Sequence, residues 1–324
     1  MNLIEISNQI PNEASATIHF ERKRWGKKPR CAYCDSENLF RQTEDLRRKC
    51  RDCFKTFSVT VGTHLEGTKV PLKTWLYAFA IVTDAKKGVS ALQLQRNLGI
   101  SYPTAWAMYH KIRHLMTLEN DDLQLDGVIE MDETYIGGKP RRNAKMLLSS
   151  NEKKQLDGKI QDLKPDYNIA EGKYKKKIPF EPVKRGRGTK KIKVAGIVER
   201  DGNVIAAVMK DIKYSDLKKL VEKHVKEEDS VLITDEYTGY SRMSRIIEHV
   251  QIDHQKAYSY KGVNTNTIES FWAIVKRGII GQYHQVSPKH LPKYVSEFVF
   301  KYNNRNKDDM FETLVRHAML PTNL

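Results

Sequence analysis

Val128-Ile129-Glu130-Met131-Asp132-Glu133-Thr134-Tyr135-Ile136-Gly137-Gly138 is the stretch at which this chain of 324 residues changes character. Before it, apolar residues recur at helical spacing: Leu72 to Lys86 is rich in Trp, Leu, Tyr, Phe and Ile, and Val89 to Arg113 has the spacing of a helix, a glycine turn at Gly99 and a second helix. From Val128 onward the apolar residues come in short β-branched runs. Val128-Ile129, Ile192 to Val198, Val204 to Val208 and Val231 to Thr234 read as strands, with a helix at Ser215 to Val225 between the last two. Two more helical patterns follow, about Thr267 to Arg277 and His290 to Asn303. The expected architecture is therefore an α/β domain behind a smaller N-terminal head.

Three carboxylates stand out from the other acids by their context. Asp132 lies toward the end of the first strand, just before Gly137-Gly138. Asp235 ends the apolar run Val231-Leu232-Ile233-Thr234, and Glu269 lies near the start of the helix that follows Asn264. Two carboxylates at the ends of adjacent strands and one from a later helix can converge, and their repulsion is relieved by cations, with hard oxygen ligands selecting magnesium or manganese. Lys276 is seven residues beyond Glu269, two helical turns on, so it shares that helix face about 10 Å along the axis, where an ammonium can hold a DNA phosphate. Glu130, Glu133 and Glu236 are read as ordinary surface acids, and Phe271 and Trp272 as core aromatics. His284 fits a phosphate contact and a structural role equally.

All four cysteines fall in one place. Cys31-x-x-Cys34 and Cys50-x-x-Cys53, 15 residues apart, form two knuckles joined by a hairpin and predict one tetrahedral four-sulfur zinc site with no open position. Such a site folds a small domain and performs no reaction. Arg22, Lys23, Arg24, Lys27, Lys28, Arg30, Arg47, Arg48, Lys49 and Arg51 surround it, which points to phosphate contact. In the helix-turn-helix candidate, Ser101 is placed to cap the second helix and Pro103 fits its first turn. Its exposed side is expected to carry Tyr102, Thr104, His110, Lys111 and Arg113, types that reach base edges or phosphates.

At these positions the chain resembles the insertion-sequence transposases of the IS1595 (ISXO2-like) family. The likeness is carried by Met131-Asp132-Glu133-Thr134-Tyr135-Ile136-Gly137-Gly138, by Asp235-Glu236-Tyr237, and by Asn264, Asn266, Glu269, Lys276-Arg277, Gly281 and Tyr283-His284 in order. It implies a zinc ribbon (1–65), a helical helix-turn-helix-like region (66–126), a ribonuclease-H-like catalytic domain (127–306) and a C-terminal tail (307–324). It also implies a DDE triad of Asp132, Asp235 and Glu269 followed by Lys276, two magnesium or manganese ions, and cleavage and transfer of DNA strands by metal-assisted phosphoryl transfer. Implied partners are the inverted-repeat ends of a bacterial element, the target DNA, and a second copy of the chain in a dimer or larger assembly. Two other readings use the same residues: a nuclease of this fold that cuts without joining, and a zinc-ribbon DNA-binding regulator with an inert α/β domain.

Composition agrees with this and narrows the field. With 40% hydrophobic and 9% aromatic residues, the chain can fill real cores and is no disordered polycation. Its longest apolar run, Trp75 to Val82, is far short of the ~18–20 residues that span a bilayer, and no signal peptide opens the sequence, so the cytoplasm, at the nucleoid, is the expected location. The formal charge is +16, a strong attraction to polyanions. Most of it sits in one segment: Lys139 to Lys193 holds 18 Lys and Arg against 6 Asp and Glu, the composition of an exposed insertion. That segment should therefore dominate sequence-blind DNA attraction. Shortening it is expected to flatten the dependence of DNA binding on salt while sparing cleavage, and an unchanged slope of log affinity against log salt would refute this.

Overall fold

The computed structural model describes residues 1–41, 46–119, 123–137, 189, 191–252, 264–307 and 309–322. Of the basic segment 139–193, only residues 189 and 191–193 fall within that set. Two helices open the chain, α1 (Leu3–Gln9) and α2 (Glu13–Trp25). Asn2 and Glu5 form a reciprocal capping box on α1, and the Asn12 side chain accepts from Ser15 N at the start of α2, each satisfying first-turn N–H groups that have no partner within the helix. A small antiparallel sheet follows, β1 (Leu39–Arg41), β2 (Arg48–Cys50) and β3 (Thr56–Phe57). Buried Glu21 on α2 takes Arg41 and Arg48 of this sheet, and Arg24 donates to the Val59 carbonyl at 2.6 Å. Part of the basic decoration of the ribbon is therefore used to attach it.

The helical region consists of α3 (Leu72–Asp84), α4 (Ala91–Leu98) and α5 (Tyr102–Leu115). Ser90 caps α4, Gly99 ends it in the left-handed conformation at φ 66°, and Ser101 caps α5 with Pro103 in its first turn. The helix–turn–helix reading of the sequence is thus realised, but its expected outer face is not. Tyr102 is 45% exposed, whereas His110 and Arg113 are 8% and 2% exposed. Arg113 is drawn inward by a partner 184 residues away: its Nε donates to Glu297 Oε2 at 2.8 Å, and its guanidinium lies over the rings of Tyr109 and Tyr294, at 3.6 and 3.7 Å from their centroids. Trp106, 39% exposed, stands on the outer side of α5 instead.

The α/β part contains β4 (Leu125–Ile136), β5 (Ile192–Glu199), β6 (Val204–Met209), α6 (Tyr214–His224), β7 (Val225–Thr234) and β8 (Glu248–Gln251), then α7 (Asn266–Gly278) and α8 (Leu291–Asn303). The sheet order is β6-β5-β4-β7-β8. β5 runs antiparallel to β4 and β6, and β7 and β8 run parallel with β4. This is the ribonuclease-H-like arrangement: three strands folded back on one another, then two parallel strands reached by crossover connections. Side chains alternate across the sheet. One face buries Ile129, Met131, Ile197 and Leu232 against Leu217 and Val221 of α6, and the other buries Val194, Val198 and Val204 against Phe271, Trp272, Val295 and Phe298 of α7 and α8.

Residues 307–324, expected as a tail, contain instead the helix α9 (Met310–Met319). Phe311, Leu314, Val315 and Ala318 lie at helical spacing on one face and are buried with Phe20, Phe79 and Leu115. The helix packs against α2 and α3, so the two extremes of the described chain share one core.

Glu297 on α8 is fully buried and gathers the helical region around itself. It accepts from Arg113, from Tyr109 Oη at 2.6 Å, from Tyr283 Oη at 2.9 Å and from Lys301 Nζ at 2.7 Å. Gly88 packs so closely on this group that a Cβ there would lie 1.8 Å from Tyr283 Oη. Burial works to raise the Glu297 carboxyl, but Lys301 and Arg113 outweigh it and hold the group at about 2. The unfolded chain takes up a proton first as pH falls, so this stabilisation is present above about pH 4.5 and is lost as pH falls toward 2. Replacing Glu297 with Gln is expected to cost on the order of 3–5 kcal/mol near neutral pH, because Arg113 and Lys301 lose their buried counter-charge. The acid limb of its stability curve should be correspondingly shallower in denaturant titrations between pH 5 and 2.

Candidate active site

The register of β4 and β7 builds the site. Their parallel pairing sets Glu130 opposite Ile233 and Met131 opposite Thr234, so the residues that follow this last pair, Asp132 on β4 and Asp235 just past the end of β7, come side by side, neighbouring strands lying about 4.8 Å apart. Carboxylate oxygens of Asp132, Asp235 and Glu133 all lie within 4.8 Å of one another. Asp235 is oriented by the Tyr237 N–H, which donates to its Oδ1 at 3.0 Å. Glu133, read from the sequence as a surface acid, is 9% exposed and accepts from Tyr240 Oη at 2.7 Å. Glu130 differs even more from expectation, being fully buried; strand alternation puts it on the same face as Asp132.

Glu269 enters from α7, in its first turn. α7 approaches the sheet closely because β5 carries Gly196 opposite Asp132, where a Cβ would lie 2.7 Å from the ring of Trp272. The Glu269 carboxylate is exposed and accepts from Thr265 Oγ1 at 3.2 Å. It is not among the three acids that crowd within 4.8 Å, but its charge acts on Asp132. Lys276 is exposed in the last turn of the same unbroken helix. His284 is exposed at φ 57°, with Nδ1 3.1 Å from the Ile280 carbonyl.

Burial first, then the neighbouring charge of Glu133, and also Asp235 and Glu269, push the Asp132 carboxyl up to about 7. Crowded oxygen ligands that resist losing their protons are chemically suited to a hard divalent cation, whose charge restores full ionisation.

The second group of ligands is the cysteine cluster. Cys31, Cys34, Cys50 and Cys53 sulfurs lie within 4.8 Å of one another, with Cys31–Cys53 and Cys34–Cys50 separations of 3.6 Å. Four sulfurs at about 2.3 Å from a central zinc in a tetrahedron stand about 3.8 Å apart, so the array fits that ion. The Tyr33 N–H faces Cys31 Sγ, and the Asp52 N–H faces Cys50 Sγ, each at 3.4 Å. At Cys50 the Cys53 N–H, chiefly, holds the thiol down at about 7.

Two family models match the chain: a transposase zinc-ribbon domain over residues 11–56 and an ISXO2-like transposase domain over residues 170–303, both of the IS1595 group and together spanning more than half of it. Over those residues the chain is similar to IS1595 transposases. The second match takes in Asp235, Glu269 and Lys276 and begins after Asp132, so the place of Asp132 rests on strand register. An uncharacterized protein in transposable element ISH50 of Halobacterium salinarum is 31% identical over 117 residues, or 35% of this chain and 38% of that protein. The chain thus covers about two fifths of that relative's length. Among solved structures, the pre-cleavage Mos1 transpososome is 12% identical, with 75% of this chain and 76% of that chain covered and a TM-score of 0.28. The Mos1 strand transfer complex is 9% identical, with 74% and 75% covered and a TM-score of 0.27. Likeness at that level adds nothing to the site's chemistry. Among the described residues, no helix is long and apolar enough to cross a membrane.

With its pKa at about 7, Asp132 in the folded chain keeps a proton that the unfolded chain releases, so stability is full below about pH 4 and declines as pH rises toward 7. Asp132→Asn should therefore raise the thermal midpoint at pH 8, without added magnesium or manganese, by about 2–4 °C for each kcal/mol relieved. At pH 4 it should leave the midpoint nearly unchanged; equal shifts at both pH values in calorimetry would contradict the crowding of the carboxylates.

Proposed function

We propose that this chain is a DDE transposase of an insertion sequence, which binds the element's ends and carries out metal-dependent cleavage and transfer of DNA strands. The observation that supports this most directly is the placing of Asp132 and Asp235 side by side at the ends of parallel strands, with Glu269 presented by a helix packed on the same sheet face, in a chain similar to IS1595 transposases. Asp132, Asp235 and Glu269 would hold two magnesium or manganese ions. When bound, such ions supply Lewis acidity for an attacking hydroxyl and a leaving oxygen in phosphoryl transfer.

The chain's own residues do the rest. Asp132 lies on β4 and Asp235 directly follows β7, so the sheet positions both, whereas Glu269 comes from the exposed edge of α7, the side from which DNA can enter. Lys276, two turns further on, offers a point charge to a backbone phosphate. One site serves water and then the freed 3′-hydroxyl as successive nucleophiles, so no covalent bond to the protein is required. The zinc ribbon and the outer side of α5, with Tyr102 and Trp106, are proposed to select the ends, phosphate contacts fixing register and base contacts conferring specificity. Handling two ends together calls for a dimer or larger assembly, acting on DNA in the cytoplasm.

Asp132→Asn and Glu269→Gln should each leave the affinity for end DNA within about threefold and lower magnesium-dependent cleavage at least about a thousandfold. Retained cleavage would overturn the assignment. Pre-cut ends offered to the unaltered protein should be joined to target DNA, and cleavage without any joined product would make the chain a nuclease.

A further inference from the structure

We propose that Glu130 is a positioning residue for the catalytic carboxylates: it fastens the first turn of α7 to the strand that carries Asp132, and thereby sets where Glu269 stands. This rests on the catalytic reading above. Glu130 lies fully buried on β4, which a carboxylate tolerates only when paired and hydrogen-bonded. Its Oε2 accepts the backbone N–H groups of Thr267 at 2.8 Å and Ile268 at 3.0 Å. Its Oε1 accepts from Thr267 Oγ1 at 2.9 Å and from Arg200 Nε and Nη2 at 3.1 and 2.9 Å. Arg200 Nη2 also donates to the Asn264 carbonyl at 3.1 Å.

First-turn N–H groups of a helix lack partners within it and are ordinarily satisfied by the side chain at its own N-terminus. Here that residue, Thr265, makes no such cap; its hydroxyl goes to Glu269 Oε1. The cap is supplied from β4 instead. A cap within the helix would stabilise α7 wherever it lay, whereas a cap on β4 ties it to one position on the sheet. Glu130 and Asp132 are two residues apart on one strand face, about 6.6 Å, and Glu269 directly follows the Ile268 N–H that Glu130 holds. The strand and the helix are thus locked one step away from the site on both sides.

The full chain, with its zinc ribbon loaded, can be titrated with Mn2+ and followed by the electron paramagnetic resonance of the free ion, alongside steady-state cleavage of end DNA. Glu130→Gln offers an amide in place of the carboxylate. Thr267→Pro removes one held N–H and the hydroxyl without touching Glu130, at a first-turn position of the kind where α5 and α8 already carry proline; it serves if the first variant does not fold. Each is expected to weaken Mn2+ binding about tenfold and to lower kcat with KM for end DNA unchanged. Glu13→Gln is the control for mere capping: Glu13 caps α3 in the same way, accepting from Leu72 N at 2.6 Å and Lys73 N at 3.1 Å, and its loss should leave Mn2+ binding as it was. A folded Glu130→Gln or Thr267→Pro protein with unaltered Mn2+ affinity and kcat overturns the proposal, provided Glu269→Gln is impaired in the same assays. An unimpaired Glu269→Gln overturns the catalytic reading and this inference with it.

Discussion

β4 and β7 run parallel, and two parallel strands cannot be joined by a hairpin, so the chain must leave the sheet and return through a crossover before β7 is laid down. That crossover is α6, and its apolar face with Leu217 and Val221 covers one side of the strands it connects. Because the pairing is parallel, the same ends of β4 and β7 emerge side by side, and residues that are 103 positions apart in the sequence become neighbours. An antiparallel pairing would have sent Asp132 and Asp235 to opposite ends of the sheet. The pairing also adds the charge of Asp235 to the burial and the neighbouring Glu133 that chiefly raise the proton affinity of Asp132.

Buried ions join parts of this protein that apolar contact alone would leave free to slide. Glu21 holds the ribbon strands to α2, Glu130 holds α7 to β4, and Glu297 holds α5 to α8. Each carboxylate meets several donors in fixed directions, and a misplaced partner would leave a charge stranded away from water. Apolar packing supplies the attraction, while these ions specify the arrangement. Through Glu297, Arg113, Tyr109 and Tyr283 the helix α5, which follows the turn at Gly99, is tied to α8, which packs on the sheet that carries Asp132.

What could be read in the sequence was what depends on neighbours along the chain. The cysteine spacing, the serine that caps α5, the β-branched strands and an aspartate closing an apolar run are local signals, and the structure realises them. Glu130, His110 and Arg113, expected on the surface, are buried by residues remote in the sequence: Arg200 and Thr267 against Glu130, His290 and Tyr294 against His110, and Glu297 against Arg113. The α9 helix is a different case, since Phe311, Leu314, Val315 and Ala318 fall at i, i+3, i+4 and i+7, a helical signal that was present in the sequence. Glu133 gave no warning, being one more acid in a run until the strand turned it toward Tyr240.

The burial of α9 among α2, α3 and α5 bears on the order in which this protein comes into being. A ribosome adds about 5–20 residues per second, so the more than 220 residues between the end of α3 and the start of α9 take on the order of 10–45 s to synthesise. For that interval the helical core that carries the turn between α4 and α5 lacks one of its walls, with Phe20, Phe79 and Leu115 left partly uncovered. The helical core, although begun first, is completed last. A nascent chain therefore lacks the wall that α9 gives this core until the whole α/β part has been synthesised.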